Sequence, residues 1–116
     1  MLLCDMYNEL NKMGGFVNDT SKLTDEMIEF LDNNNEYNLD LQDLLNIIDD
    51  YYMNEYAEIS AIFENEADLG YEEISNFMNI PDYLENYIDY EKFGKDLLDD
   101  EPYCDLSDGK IAYISL

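Results

Sequence analysis

The chain of 116 residues predicts an α+β fold, predominantly helical, with a small β-sheet built from one central strand and a C-terminal hairpin. Three observations carry that expectation. Apolar residues recur at helical spacing three times before residue 55, the period falls to two from Tyr56 onward, and Asp108-Gly109 stands between two short strand-like runs. The change of period divides the chain into a helical subdomain, 1–55, and an α/β C-terminal subdomain, 56–116.

Leu3, Met6, Tyr7, Leu10 and Met13 line one face of a first helix over residues 2–12, and Gly14-Gly15 supply its stop. Thr24 is the expected N-cap of a second helix. Asp25 and Glu26 complement its N-terminal dipole, Met27, Phe30 and Leu31 form its apolar side, and Asn33-Asn34-Asn35 close it. The polar stretch from Asn33 to Asn38 is the expected long loop.

A third helix is expected to be capped by Asp40, with Asp43 at its third position and Leu41, Leu44, Leu45, Ile48, Tyr51 and Tyr52 repeating at i, i+3, i+4. From Tyr56, Ala57, Ile59, Ala61 and Phe63 alternate with Glu58, Ser60, Ile62 and Glu64, the pattern of a half-buried strand. Leu69, Ile74, Phe77 and Met78 then mark the apolar side of another helix, with Gly70 near its start and Pro81 ending the segment. Residues 83–98 form one or two further helices with Tyr87, Ile88, Phe93, Leu97 and Leu98 facing inward and Gly94 as a weak point. Tyr103–Leu106, the turn Ser107-Asp108-Gly109 and Ile111–Leu116 complete the hairpin.

Composition sets the functional frame. Asp and Glu number 29 against five Lys, with no Arg and no His, for a formal net charge of −24. Such acidity often means disorder, but Leu, Ile, Val and Phe make up 31 of the 116 residues, enough with 11 Tyr and six Met to build a core. There is no signal-peptide pattern and no apolar run of membrane-spanning length, so the expected location is the cytoplasm. Cys4 and Cys104 lie far apart with no CxxC spacing, and are expected to be partly buried thiols.

Residues 23–91 carry 20 carboxylates and no basic side chain. A helical surface ordinarily interleaves Glu with Lys at i, i+4, and this one forgoes that stabilisation. Richness in Asn, Ile and Tyr is the imprint of AT-rich coding, in which Lys should be common, so its scarcity points to selection. Duplex DNA holds about one charge per 1.7 Å, so 24 charges equal ~41 Å of helix, close to the ~35 Å diameter of a compact chain this size. A carboxylate also fits the bidentate fork of Arg as a phosphate does. The sequence therefore points to an inhibitor that mimics DNA, with Asp40, Asp43, Asp49, Asp50, Glu55, Glu58, Glu64, Glu66, Asp68, Glu72, Glu73, Asp82 and Glu85 facing the partner. Tyr51, Tyr52, Tyr56, Tyr71, Tyr83, Tyr87 and Tyr90 are interspersed among these acids, where they serve as core filling or as aromatic contacts.

Catalysis finds little support. Without His the usual general base, triad member and metal ligand are missing. Pairs such as Asp49-Asp50, Glu72-Glu73 and Asp99-Asp100 arise by chance in so acidic a chain, and Asp89–Gly94 fails as a calcium loop because Phe93 stands at a ligand position. No cofactor is expected, and direct binding to nucleic acid or to an anionic membrane would be repelled.

The segment Tyr83-Leu84-Glu85-Asn86-Tyr87-Ile88-Asp89-Tyr90-Glu91-Lys92-Phe93-Gly94-Lys95-Asp96-Leu97 resembles the closing segment of the ArdA antirestriction proteins, with its Asn-Tyr-Ile-Asp-Tyr core followed by an aromatic, Gly, a basic residue and Asp-Leu. The strand around Ile59–Phe63 with its following acidic helix, and Tyr7-Asn8-Glu9-Leu10-Asn11, are similar to that family too. The resemblance implies the family's central helical and C-terminal α/β subdomains without its N-terminal one. It also implies a DNA-mimic homodimer that blocks the DNA-binding subunits of type I restriction–modification enzymes, with Tyr87, Ile88, Tyr90 and Phe93 as candidate dimer contacts. The same physics would serve an anti-CRISPR protein that fills the DNA channel of a CRISPR effector. An acidic adaptor for a basic protein partner is the remaining alternative.

Overall fold

The computed structural model describes residues 2–15, 17–99 and 102–116. They form helices α1 (Leu3–Lys12), α2 (Asp25–Asn33), α3 (Leu41–Tyr51), α4 (Glu66–Phe77), α5 (Asp82–Glu85) and α6 (Tyr90–Leu98), with strands β1 (Glu58–Phe63), β2 (Tyr103–Asp105) and β3 (Ile111–Ser115). The fold is α+β and mostly helical. It comprises two compact units, Met1–Ile59 with Ser115–Leu116, and Ser60–Ile114. Among the described residues no helix is long and apolar enough to cross a membrane.

In the first unit, α1 ends as Gly14-Gly15 requires. Gly14 adopts φ +79°, its N–H donates to the Asn11 carbonyl at 3.0 Å, and Gly15 N–H donates to Leu10 at 3.1 Å, the paired bonds of a Schellman stop. The Thr24 hydroxyl accepts from Met27 N–H and starts α2. The loop after α2 is pinned by one side chain: Asn35 donates to the Leu39 carbonyl at 2.7 Å and accepts from Leu39 N–H at 3.0 Å. Asp40 holds the N-cap position of α3, but its side chain makes no capping hydrogen bond. Helix α1 packs on α3, and Leu3 N–H reaches the Ala57 carbonyl at 2.9 Å. The core here is Leu3, Met6, Leu10, Val17, Met27, Leu31, Leu44, Leu45, Ile47, Ile48 and Ala57.

The second unit takes over within β1. Its three-stranded sheet has the order β1-β3-β2, and β2 pairs antiparallel with β3 in the register Tyr103↔Tyr113, Cys104↔Ala112, Asp105↔Ile111. Gly109 N–H bonds to the Leu106 carbonyl and Leu106 N–H to Lys110, with Gly109 at φ +78°, a three-residue hairpin loop whose left-handed position needs glycine. Helices α4 and α6 cross closely. A methyl at Gly70 would overlap the Tyr90 carbonyl and one at Gly94 the Glu66 carbonyl, so the expected weak point at Gly94 is instead a contact point that only glycine fits. The core of this unit is Leu69, Ile74, Leu106, Ile111, Ala112 and Ile114.

Several apolar positions expected inside lie outside. Phe77 ends α4, Met78 is already extended, and both are exposed, because α4 buries only the side carrying Leu69, Gly70 and Ile74. Residues 83–98 split into two helices, leaving Tyr87 in the turn between them and in water, while Phe93 is partly exposed. Met13, expected on the buried face of α1, stands at its exposed C-cap. Cys4 and Cys104 remain half-buried thiols.

Candidate partner-binding surface

A charged residue on a short helix reaches solvent wherever the apolar stripe leaves it, and in the first unit most of the carboxylates do so. Asp40, Asp50, Glu55 and Glu58 are exposed. Asp49 is half-buried and accepts a 2.7 Å hydrogen bond from the Asn18 amide. Asp43 departs from expectation: it is only 8% exposed, lying with Ile47 on the buried side of α3. The expected set leaves out the acids of α2. Asp25, Glu26, Glu29 and Asp32 are exposed along α2, with Glu36 beyond, and the i, i+4, i+7 spacing of Asp25, Glu29 and Asp32 is the signal of a polar helix face beginning at residue 25.

In the second unit Glu64, Glu72 and Asp82 are exposed, and Glu66, Asp68, Glu73 and Glu85 are half-buried. Some of these have structural work. The Asp68 carboxylate accepts from Glu64 N–H at 3.1 Å while Asn65 caps Asp68 N–H at 2.8 Å, so the pair fixes the start of α4. Glu73 accepts from the Tyr103 hydroxyl at 3.1 Å, which ties α4 to β2. Asp89, absent from the expected set, caps α6 by accepting from Lys92 N–H. Of the paired acids, Asp99 is exposed and Asp100 lies outside the described residues.

Lysine neutralises little of this surface. The salt bridges among the described residues are Lys12–Glu9 at 3.3 Å, Lys22–Asp19 at 4.0 Å and Lys95–Glu91 at 3.1 Å, each between neighbours on the chain and open to solvent. None involves Asp50, Glu55, Glu58, Glu64, Glu72 or Asp82. Exposed pairs of this kind are worth about 0–1 kcal/mol, so they leave the field of the surface anionic. The Asp19 carboxyl is held below the usual range by hydrogen bonds from Ser21, side chain first and backbone second, with Lys22 adding to them against partial desolvation. The Lys95 ammonium is pushed up mainly by its hydrogen bond and charge pairing with Glu91. Among the described residues no three His, Cys, Asp or Glu side chains gather as a metal site.

The tyrosines divide by role. Tyr52 stacks on Tyr7 with ring centres 3.9 Å apart, and Tyr90 meets Tyr71 edge-on at 5.3 Å. The Tyr90 phenol is raised above its ordinary range by desolvation, then by the nearby charges of Glu85 and Tyr71. Tyr56, Tyr83 and Tyr87 stand in water among the acids. Of the candidate dimer contacts, Tyr87 is exposed, Ile88 and Tyr90 are half-buried, and Phe93 is at the margin of exposure.

No curated protein and no solved structure matches the chain. The family model described as "Antirestriction protein (ArdA)" matches it over residues 4–111.

Proposed function

Because the chain belongs to the ArdA antirestriction family, matched over nearly all its length, we propose that it inhibits by DNA mimicry, its exposed carboxylates occupying the basic DNA cleft of a type I restriction–modification enzyme. The observation that carries this reading is the run of residues 23–91, which holds 20 acids and no base in a folded chain. On α2, Asp25, Glu29 and Asp32 follow one another by about 4.5–6 Å along the axis. Phosphates of one DNA strand advance by about 3.4 Å, a spacing of the same order. A groove lined with Arg and Lys engages either row by the same bidentate hydrogen bonds and counterion release.

This mechanism needs no reacting atom. The inhibitor works stoichiometrically, and dense like charge steers it quickly onto the cleft. The partner is the enzyme complex and not DNA itself, which the net charge of −24 repels. Replacing Asp50, Glu55, Glu72 and Asp82 by their amides tests the array, because shape is kept while four charges are lost. Inhibition of a purified type I enzyme should weaken by roughly tenfold or more, and the folding midpoint should stay level or rise as self-repulsion eases. Undiminished inhibition would remove these four side chains from the contact.

A further inference from the structure

The first unit carries a hollow with an apolar floor and an acidic rim. Its volume is about 140 Å³, and its lining comes from α1, the end of α2 with the loop after it, α3 and β1. Leu3, Met6 and Leu44, core residues each no more than 2% exposed, form the floor, and the half-buried Ile59 joins them. Asn33, Asn34, Asn35, Glu36, Tyr37 and Glu58 complete the lining. All of these residues belong to the same compact unit. An apolar cavity of about this size admits a planar group as large as benzene.

The chemistry of the rim narrows the occupant. The Asn35 side chain is spent on both backbone polar groups of Leu39, and the Asn34 amide nitrogen donates to the Phe30 carbonyl at 2.8 Å. These bonds hold the rim in place and turn both amide nitrogens to the backbone. The Asn34 oxygen and the carboxylates of Glu36 and Glu58 are left to accept. Both glutamates are exposed, and neither is in a salt bridge among the described residues. An anion is repelled there, and a wholly apolar ligand would strip water from carboxylates it cannot pair. An ammonium would have to shed tightly held water against the apolar floor. A guanidinium is flat, weakly hydrated and carries five N–H donors, so it suits floor and rim together. Tyr37, also in the lining, supplies an aromatic ring of the kind on which guanidinium planes stack.

Resting on the mimicry proposed above, we propose that this hollow is a guanidinium site that receives one arginine side chain from the DNA cleft of the inhibited enzyme. A second copy of the chain cannot fill it in that way, because the sequence contains no Arg. DNA-binding clefts are rich in arginines that pair with phosphates and bases. The hollow takes in the aliphatic stem of the arginine as well as its head, a contact that a row of phosphates does not offer.

The test titrates the full chain with N-acetylarginine amide, whose single charge is its guanidinium, and with N-acetyllysine amide as the matched ammonium, read by NMR. The arginine amide should shift the signals of Leu3, Met6, Leu44 and Ile59 saturably with a Kd of roughly 1 mM, and the lysine amide should bind about tenfold more weakly. Glu36→Gln with Glu58→Gln should weaken the arginine amide about tenfold. Glu72→Gln with Asp82→Gln, at two exposed acids of the other unit, should leave it unchanged. Ile59→Phe fills the hollow at constant charge. It should abolish uptake of the arginine amide and weaken inhibition of a purified type I restriction–modification enzyme about tenfold. Should that variant misfold, the Glu36 and Glu58 pair keeps the test valid, since its loss of inhibition should exceed that of the charge-matched Glu72 and Asp82 pair. Equal binding of the two amides overturns the site, as do shifts spread over the whole acidic surface or arginine binding that survives the loss of Glu36 and Glu58. Full inhibition by a folded Ile59→Phe chain that no longer takes up arginine overturns the enzyme as its source. Failure of the wild-type chain to inhibit, with arginine binding intact, would overturn the mimicry itself and the enzyme's arginine with it, a result distinct from the others.

Discussion

The two units treat their apolar residues in opposite ways. In the first, eleven apolar side chains from Leu3 to Ala57 are buried, and Met53 and Tyr56 are its strongly exposed large ones before β1. In the second, six are buried, while the segment from Phe77 to Tyr87 alone exposes five large apolar side chains. Both units are densely acidic. The contrast teaches that acidity here is compatible with a well-filled core, and that the exposure of apolar side chains between Phe77 and Tyr87 is a local property of the second unit and not a general failure to bury.

The sharpest way to break that comparison is a pair of substitutions of similar chemistry. Leu45→Ala removes a fully buried side chain of the first unit and should cost about 2–5 kcal/mol in denaturant unfolding. Phe77→Ser removes a larger one from the surface and should shift stability by no more than about 0.5 kcal/mol. Comparable losses from both would mean that Phe77 packs in solution and that the segment it begins is not exposed.

A mid-sized effect sharpens the picture of the second unit. Gly94→Ala places a methyl against the Glu66 carbonyl where α4 and α6 cross. It should cost about 1–3 kcal/mol by forcing the two helices apart. Hydrogen exchange should show the loss in α4 and α6 and leave α1–α3 protected; uniform loss would mean that the units unfold as one.

The smallest effects compare one cap in each unit. Thr24→Ala and Asn65→Ala each remove a side-chain acceptor from the first turn of a helix and should cost about 1 kcal/mol by thermal unfolding. A much larger loss at Asn65 would show that its pairing with Asp68 holds more than the start of α4.

Much of the fold is legible in the sequence because local chemistry dictates it. Gly14-Gly15 stop α1 through a left-handed residue, Thr24 starts α2, the two-residue period gives β1, and Asp108-Gly109 sets the hairpin. What is not legible depends on neighbours distant in the chain. Gly94 looks like a flaw in an isolated helix and becomes a crossing point only once Glu66 is beside it. Phe77 and Met78 continue an apolar period, yet nothing in that period tells how wide a stripe the helix will bury. Asp43 is hidden for a related reason: Ile47, four residues on, belongs to the buried side of α3, which widens that side by one row and takes Asp43 with it. The acidic surface is legible as composition, whereas the division of its carboxylates into solvent-facing and fold-holding groups, such as Glu72 against Glu73, required the contact with Tyr103.

Competition with duplex DNA tests the mimicry most directly. The chain is bound to a purified type I methyltransferase, unrelated duplex is titrated in, and the titration is repeated as salt rises. Mimicry predicts that the duplex displaces the chain competitively and that affinity falls steeply with salt, on the order of 10³-fold between about 50 and 200 mM if six or more charged contacts are made. A complex that saturating duplex leaves intact, with affinity flat in salt, would contradict it.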